Sequence, residues 1–310
     1  MSFVQKTIHF TSEITRKLPK NKFLRKLYKR INWLFLKLGA NPIVTAKMQD
    51  GSLLIVDLTT RTEREAFYTG IYDEDLIHTL LNMLRPNTTF LDVGANIGFY
   101  SVALSNFISK NTLNSHVVSF EPFEGNFERL EANILKNAFS NVCTINNYGL
   151  SDEAKTSQIT LREDFKHGSN TGNAAIPTGG FLDEGFKLSE IRLEILDEVW
   201  TKDFNALPNI DLVKVDIEGH EDFFLRGSQD TLNSHRPTIL MEVNKPYYAS
   251  RGVDLDETFK GLVPENYQVY RSDNGHWIKT ESYKDCKNLD NVFIIPEEKL
   301  TLKGYEIFNS

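Results

Sequence analysis

Phe90-Leu91-Asp92-Val93-Gly94-Ala95-Asn96-Ile97-Gly98-Phe99-Tyr100 opens as an apolar run of strand length, turns on two glycines and enters a helical pattern. Glycine in such a loop lets the backbone turn sharply and lets a ligand lie against bare amides. The spacing departs from the Gly-x-Gly-x-x-Gly fingerprint that cradles a pyrophosphate at a helix N-terminus. Asn96 stands where the middle glycine would be, and Gly98 arrives one residue early. Asp92, two residues before Gly94, places a carboxylate where it would repel a phosphate.

The next apolar run, His116–Phe120, ends at Glu121-Pro122, 29 residues after Asp92. That gap is one strand–helix–strand unit, so Glu121 falls beside the glycine loop, placed to accept two hydrogen bonds from ribose hydroxyls. Pro122 begins a helix where its missing N–H costs nothing. A carboxylate-lined loop favours a cationic, hydroxyl-bearing ligand. S-adenosylmethionine, with a sulfonium, an ammonium, a ribose diol and no phosphate, meets that description. At the end of the third run, Val142–Asn146, Asn147 could read the adenine rim or cap a turn.

Asp211-Leu212-Val213-Lys214-Val215-Asp216-Ile217-Glu218-Gly219-His220-Glu221 is the second dense motif. Strand side chains alternate, so Lys214 and Asp216 share one face, about 6.6–6.8 Å apart. Asp216 falls at the carboxyl end, where open α/β sheets bind ligands. Methyl transfer is an in-line displacement that an enzyme mainly aligns, and a hydroxyl acceptor also needs a base or a metal to take its proton. Asp216 leads as that pocket carboxylate, with a helix cap or an ion pair with Lys214 as the structural reading. His220 and His167 are alternatives, each also readable as a solvated or structural residue.

Strand-length runs at Thr238–Val243, Gln268–Arg271 and Val292–Ile295 follow. Helical patterns at 97–109, 123–136 and 221–232 alternate with the strands, predicting parallel pairing, and the last two strands suit an antiparallel pair at one edge. Ahead of them, Ile43–Met48 and Ser52–Leu58 read as a hairpin turned at Asp50-Gly51, and residues 63–84 as a helix broken near Gly70. Residues 163–187, rich in Gly, Asn, Ser and Thr and including His167, read as a long loop over the sheet.

The chain of 310 residues carries a net charge of −7, unevenly spread. Residues 1–40 hold ten Lys/Arg against one acid, Glu13, a net of +9 that leaves −16 for the rest. No run of about 18 apolar residues predicts a membrane span. Residues 22–38 read as an amphipathic basic helix ended by Gly39 and Asn41-Pro42, without the clean apolar core of a secretory signal. Its apolar face either packs on the main domain or a second subunit, or adsorbs to an anionic membrane surface. Two cysteines, Cys143 and Cys286, cannot build a disulfide framework and point to a reducing, cytoplasmic setting. Nucleic acid is not expected as a partner: the body is acidic, and no Asn/Asp-Pro-Pro-Tyr/Phe tetrapeptide follows Asp216.

Three stretches, Asp92–Tyr100, Glu121-Pro122 and Lys214–Glu221, with Arg236-Pro237 and Met241-Glu242 after them, resemble the FkbM-type S-adenosylmethionine-dependent methyltransferases over about residues 60–296. The resemblance implies an α/β fold: a class I methyltransferase (Rossmann-like), mostly parallel sheet with an antiparallel edge strand. The chain divides as that domain over 42–310 behind a basic helical arm at 1–41, which is not part of the family pattern. The resemblance also implies O-methylation of a sugar, glycan, glycolipid or polyketide hydroxyl. Carried over by position, Asp92, Gly94, Asn96, Gly98 and Glu121 would contact the cofactor. Asp216, Glu218 and Glu242 would line the acceptor side, with Lys214 beside them and Asp216 as ligand of an optional divalent metal such as Mg. Two rivals are an oxidoreductase binding NAD or a nucleotide sugar, and a non-catalytic binding subunit of the same fold.

Overall fold

The computed structural model describes residues 2–18, 22–161, 174–175 and 187–309. Helices α1 (Phe3–Thr15) and α2 (Lys22–Lys37) precede a hairpin of β1 (Ile43–Lys47) and β2 (Leu53–Asp57). The hairpin turns on Asp50, whose carboxylate accepts from the Ser52 amide, and on Gly51 at φ +89°. Helix α3 (Arg61–Thr69) stops at Gly70, whose left-handed backbone (φ 72°) turns the chain toward α4 (Glu74–Met83). The expected hairpin and broken helix are both present.

The central elements are β3 (Thr89–Val93), α5 (Phe99–Asn111), β4 (His116–Phe120), α6 (Glu124–Lys136) and β5 (Cys143–Asn146). After a smaller sheet come α7 (Leu196–Val199), β10 (Ile210–Val215), α8 (Glu221–Arg226), α9 (Gln229–His235) and β11 (Thr238–Asn244). Helices α10 (Lys245–Ser250) and α11 (Leu255–Phe259) lead to β12 (Tyr267–Asp273), β13 (His276–Thr280) and β14 (Leu289–Pro296). The eight-stranded sheet runs β13-β12-β14-β11-β10-β3-β4-β5. Strands β5, β4, β3, β10 and β11 are parallel; β14, β12 and β13 are antiparallel, so the expected antiparallel edge is three strands deep. Strand order reverses between β3 and β10, which opens a crevice beyond their carboxyl ends.

Every residue of β3 and β10 is buried, as strands covered on both faces require. Alternation divides them: Phe90, Val117, Leu212 and Leu240 enter one core, whereas Leu91, Val118, Val213 and Ile239 enter the other. Ile8, Tyr28 and Ala40 of the arm belong to the first core. Thr15 donates to the Tyr68 carbonyl (2.7 Å), Asn32 to that of Leu58 (2.9 Å), and Tyr28 stacks on Tyr68 at 5.5 Å. One face of the arm therefore packs on the body, and α1 is an element that the sequence reading did not single out.

Two further differences have visible causes. The helix expected over 221–232 is broken into α8 and α9 at Gly227, where a Cβ would lie 2.0 Å from the Ser151 carbonyl oxygen. The chain from 149 to 194 forms a second sheet, β6 (Gly149–Leu150), β7 (Lys155–Leu161), β8 (Ala174–Ala175) and β9 (Lys187–Glu194), ordered β6-β9-β7-β8. Its small core is Ile159, Ile191 and Leu193 with Phe123 packed against them. Apart from Ala174–Ala175 and Lys187, the loop read at 163–187, with His167, lies outside the described residues.

Candidate active site

A cavity of about 240 Å³ opens at the crevice between β3 and β10. Of the residues singled out by sequence, Gly94, Asn96, Glu121, Lys214, Asp216, Glu218, His220 and Glu242 line it. Gly94 (φ +77°) has no room for a side chain: a Cβ there would sit 2.0 Å from the Asp216 carbonyl oxygen. The β3 and β10 loops touch at this point and form one floor.

Glu121 is held at the end of β4 by amides from both flanks. Its two oxygens accept from the backbone N–H of Asn96 (2.8 Å) and of Phe123 (3.0 Å). Burial pushes its carboxyl up to about 7, against the lowering effect of those amides. The Asn126 side-chain amide adds a third, long bond (3.5 Å); carboxylate oxygens offer about four acceptor sites in all, so one remains for a ligand hydroxyl.

At the end of β10, Glu218 (φ 54°) and Gly219 (φ 90°) are both left-handed, which turns the chain sharply and brings Glu218 to the cavity. Asp216, Glu218 and Glu242 place one oxygen each within 4.8 Å of one another. Burial, then the charges of Asp216, Glu218 and Glu221, push the Glu242 carboxyl far above the usual range, and one of its oxygens is buried with no hydrogen-bond partner. Three carboxylate oxygens are the donor set of a hard divalent cation such as Mg²⁺.

Lys214 is 5% exposed and spends its ammonium on the fold. It donates to the Gly94 carbonyl (2.8 Å) and lies 3.7 Å from Asp92 and 3.5 Å from Asp216. Burial lowers its pKa, but Asp216, Asp92 and Glu242 outweigh that and hold it charged. His220 shares a hydrogen bond with the Ser151 hydroxyl (2.9 Å) and stacks on Phe223. Burial pushes its imidazole down to about 4, so it is neutral at physiological pH.

Three residues expected to contact the cofactor, Asp92, Gly98 and Asn147, do not line the cavity. Asp92 is 0% exposed and does not line the cavity; it accepts from the Ser101 hydroxyl (2.5 Å) and faces Lys214, because α5 covers that face of β3. Gly98 is a packing glycine, where a Cβ would meet Leu130 of α6 at 2.6 Å. Asn147 donates to Glu124 (2.9 Å), away from the cavity. Sequence reading passed over Tyr72, which lines the cavity and stacks on Phe99 with ring centroids 4.0 Å apart, and Tyr100, whose hydroxyl donates to Asp73 (3.2 Å). Tyr72 sits in the break after Gly70, and an aromatic side chain in that break was the available signal.

Comparison with known proteins decides the family. The Methyltransferase FkbM domain matches residues 92–280, more than half of the chain. The chain belongs to the FkbM methyltransferase family. This FkbM chain is 24% identical over 217 residues to the hexuronic acid methyltransferase AglP of Haloferax volcanii, covering 68% of this chain and 79% of that protein. It is 26% identical over 209 residues to the AMB antimetabolite synthetase AmbE of Pseudomonas aeruginosa, covering 58% of this chain but only 9% of that protein. Among solved structures, a methyltransferase FkbM from Methylobacillus flagellatus KT aligns with a TM-score of 0.40 at 15% identity, covering 94% of this chain and 58% of that one. FkbM membership favours methyl transfer over the oxidoreductase alternative.

Proposed function

We propose that this FkbM chain is an S-adenosylmethionine-dependent O-methyltransferase whose acceptor is a hydroxyl of a sugar, glycan or glycolipid. The observation that carries the reading is the charge of the cavity. Glu121, Asp216 and Glu218 line it beside a protonated Glu242, and among the described residues the ammonium that lines it, Lys214, is already engaged. Such a lining suits a sulfonium and an ammonium, and it disfavours the two phosphates of a dinucleotide. Gly94 leaves bare backbone for close approach, and Glu121 keeps an acceptor site for a ribose hydroxyl.

When bound, S-adenosylmethionine supplies a methyl group made electrophilic by its sulfonium. The chain's own work is alignment and proton handling. Asp216, part-exposed at the cavity wall, accepts the proton of the acceptor hydroxyl as its oxygen gains the methyl. Glu242, held protonated, donates a hydrogen bond, and Glu218 accepts one, so a ring bearing several hydroxyls is gripped in one orientation. The same three oxygens could instead hold Mg²⁺, which would then polarise the hydroxyl. An acid-rich wall suits a neutral, hydroxyl-rich ring better than an anionic one.

Incubation with methyl-labelled S-adenosylmethionine and a panel of hexoses, hexuronic acids and glycolipids tests the reading. Label recovered as a methyl ether on a ring oxygen is the expected result. Label on nitrogen or carbon would overturn O-methylation, and cofactor binding with no transfer across the panel would favour the non-catalytic alternative.

A further inference from the structure

The arm's packed face leaves a second face of α2 directed outward. Leu27, Trp33, Leu34 and Leu38 are 38%, 57%, 50% and 59% exposed. At 100° per residue they fall in one stripe with the exposed Lys26, Arg30 and Lys37, opposite the buried Tyr28 and Asn32. The Lys37 ammonium lies 4.2 Å from the Trp33 ring. Helix α1 adds an outward ridge of Phe3, Phe10 and Ile14, exposed by 83%, 62% and 47%. Large apolar side chains exposed at helical spacing mark a binding surface.

We propose that this outward face docks the protein on an anionic lipid surface. Trp and Leu interleaved with Lys and Arg on a helix is the pattern that lies in a membrane interface, with the rings at headgroup depth and the cations against anionic headgroups. Charge complementarity singles out this occupant. Residues 1–40 carry a net of +9, so a symmetric second copy would set two such arms against each other, whereas an anionic bilayer attracts them. No helix among the described residues is long and apolar enough to cross a membrane, so the contact is with the surface. The inference does not rest on the chemistry assigned to the cavity.

Co-sedimentation of the full chain with phosphatidylcholine vesicles, with and without phosphatidylglycerol, tests it, with light scattering in parallel. The expected result is binding to the phosphatidylglycerol vesicles, weaker binding to phosphatidylcholine alone, and loss by about tenfold or more in both K26E/R30E/K37E and W33S/L34S. These side chains are exposed, so the melting temperature is expected to stay at the wild-type value. No binding of wild type to anionic vesicles, or equal binding by both variants, would overturn the proposal. So would a wild-type dimer that W33S/L34S converts to a monomer, which would place a second copy on this face.

Discussion

The Gly94 Cα stands so close to the Asp216 carbonyl that an added Cβ would lie 2.0 Å from that oxygen. The glycine loop proposed to face the cofactor and the strand end that bears the proposed base are therefore one contact, and each fixes the position of the other. Gly94→Ala is expected to lose about 1–2 kcal/mol from the left-handed backbone alone, with the clash added to it. Gly252, also left-handed (φ +68°) but with open space around a Cβ, serves as the control. Urea unfolding should show the larger loss at 94, and only that variant should fail to bind S-adenosylhomocysteine.

Glu121 is expected to govern cofactor affinity in a pH-dependent way. Burial pushes its carboxyl up to about 7, and only the ionised form can accept a ribose hydroxyl while keeping the bonds from Asn96, Phe123 and Asn126. Affinity should rise as pH increases through 7 and level off above it. Glu121→Gln should weaken binding by roughly 1.5–3 kcal/mol at pH 8, the range for a hydrogen bond to a charged group, and flatten the profile. A titration series by calorimetry between pH 6 and about 8.5 reads both effects.

Asp216→Asn keeps the shape of the site and removes the base. Turnover should fall by about 10²–10⁴-fold, a larger loss than the weakening of cofactor binding that removal of one cavity charge brings. Dialysis against EDTA should leave wild-type turnover unchanged if Asp216 takes the proton unaided. Loss with recovery on adding Mg²⁺ would assign the three-carboxylate cluster to a cation instead.

Glu221 makes the fold itself sensitive to pH. Its carboxyl accepts from the amides of Ile217 (3.2 Å) and Gly219 (3.1 Å) and from the Tyr248 hydroxyl (2.6 Å), yet burial holds its pKa at about 7 rather than 4.5. Between those values the folded chain binds more protons than the unfolded one. This contribution to stability is therefore full below 4.5 and is lost as pH rises through 7. Melting temperature should fall from pH 5 to about 8, and Glu221→Gln, whose amide oxygen can still accept from the Ile217 and Gly219 amides but which does not titrate, should reduce that fall.

How far the sequence foretold the site differs residue by residue, for physical reasons. Glu121 and Asp216 were legible because the end of a parallel strand dictates where a side chain goes. Asp92 sits in the same motif, but the sequence does not say what covers its face of β3; α5 does, through Ser101. Gly94 and Gly98 look alike in the chain, yet one is required by the approach of Asp216 and the other by Leu130. Tyr72 was hidden because only tertiary packing brings the Gly70 break over Phe99. The second sheet was missed because Lys155–Leu161 carries few apolar residues. The arm showed its amphipathicity plainly, but only the fold shows that Tyr28 and Asn32 point inward while Trp33 and Leu34 point out.

Calorimetric titration of the full chain with S-adenosylhomocysteine and, separately, with NAD⁺ tests the central claim most directly. The account predicts one-to-one binding of the sulfur nucleoside, weakened in Glu121→Gln, and no heat from the dinucleotide. Binding of NAD⁺ with none of S-adenosylhomocysteine, or equal affinity of wild type and Glu121→Gln, would contradict it.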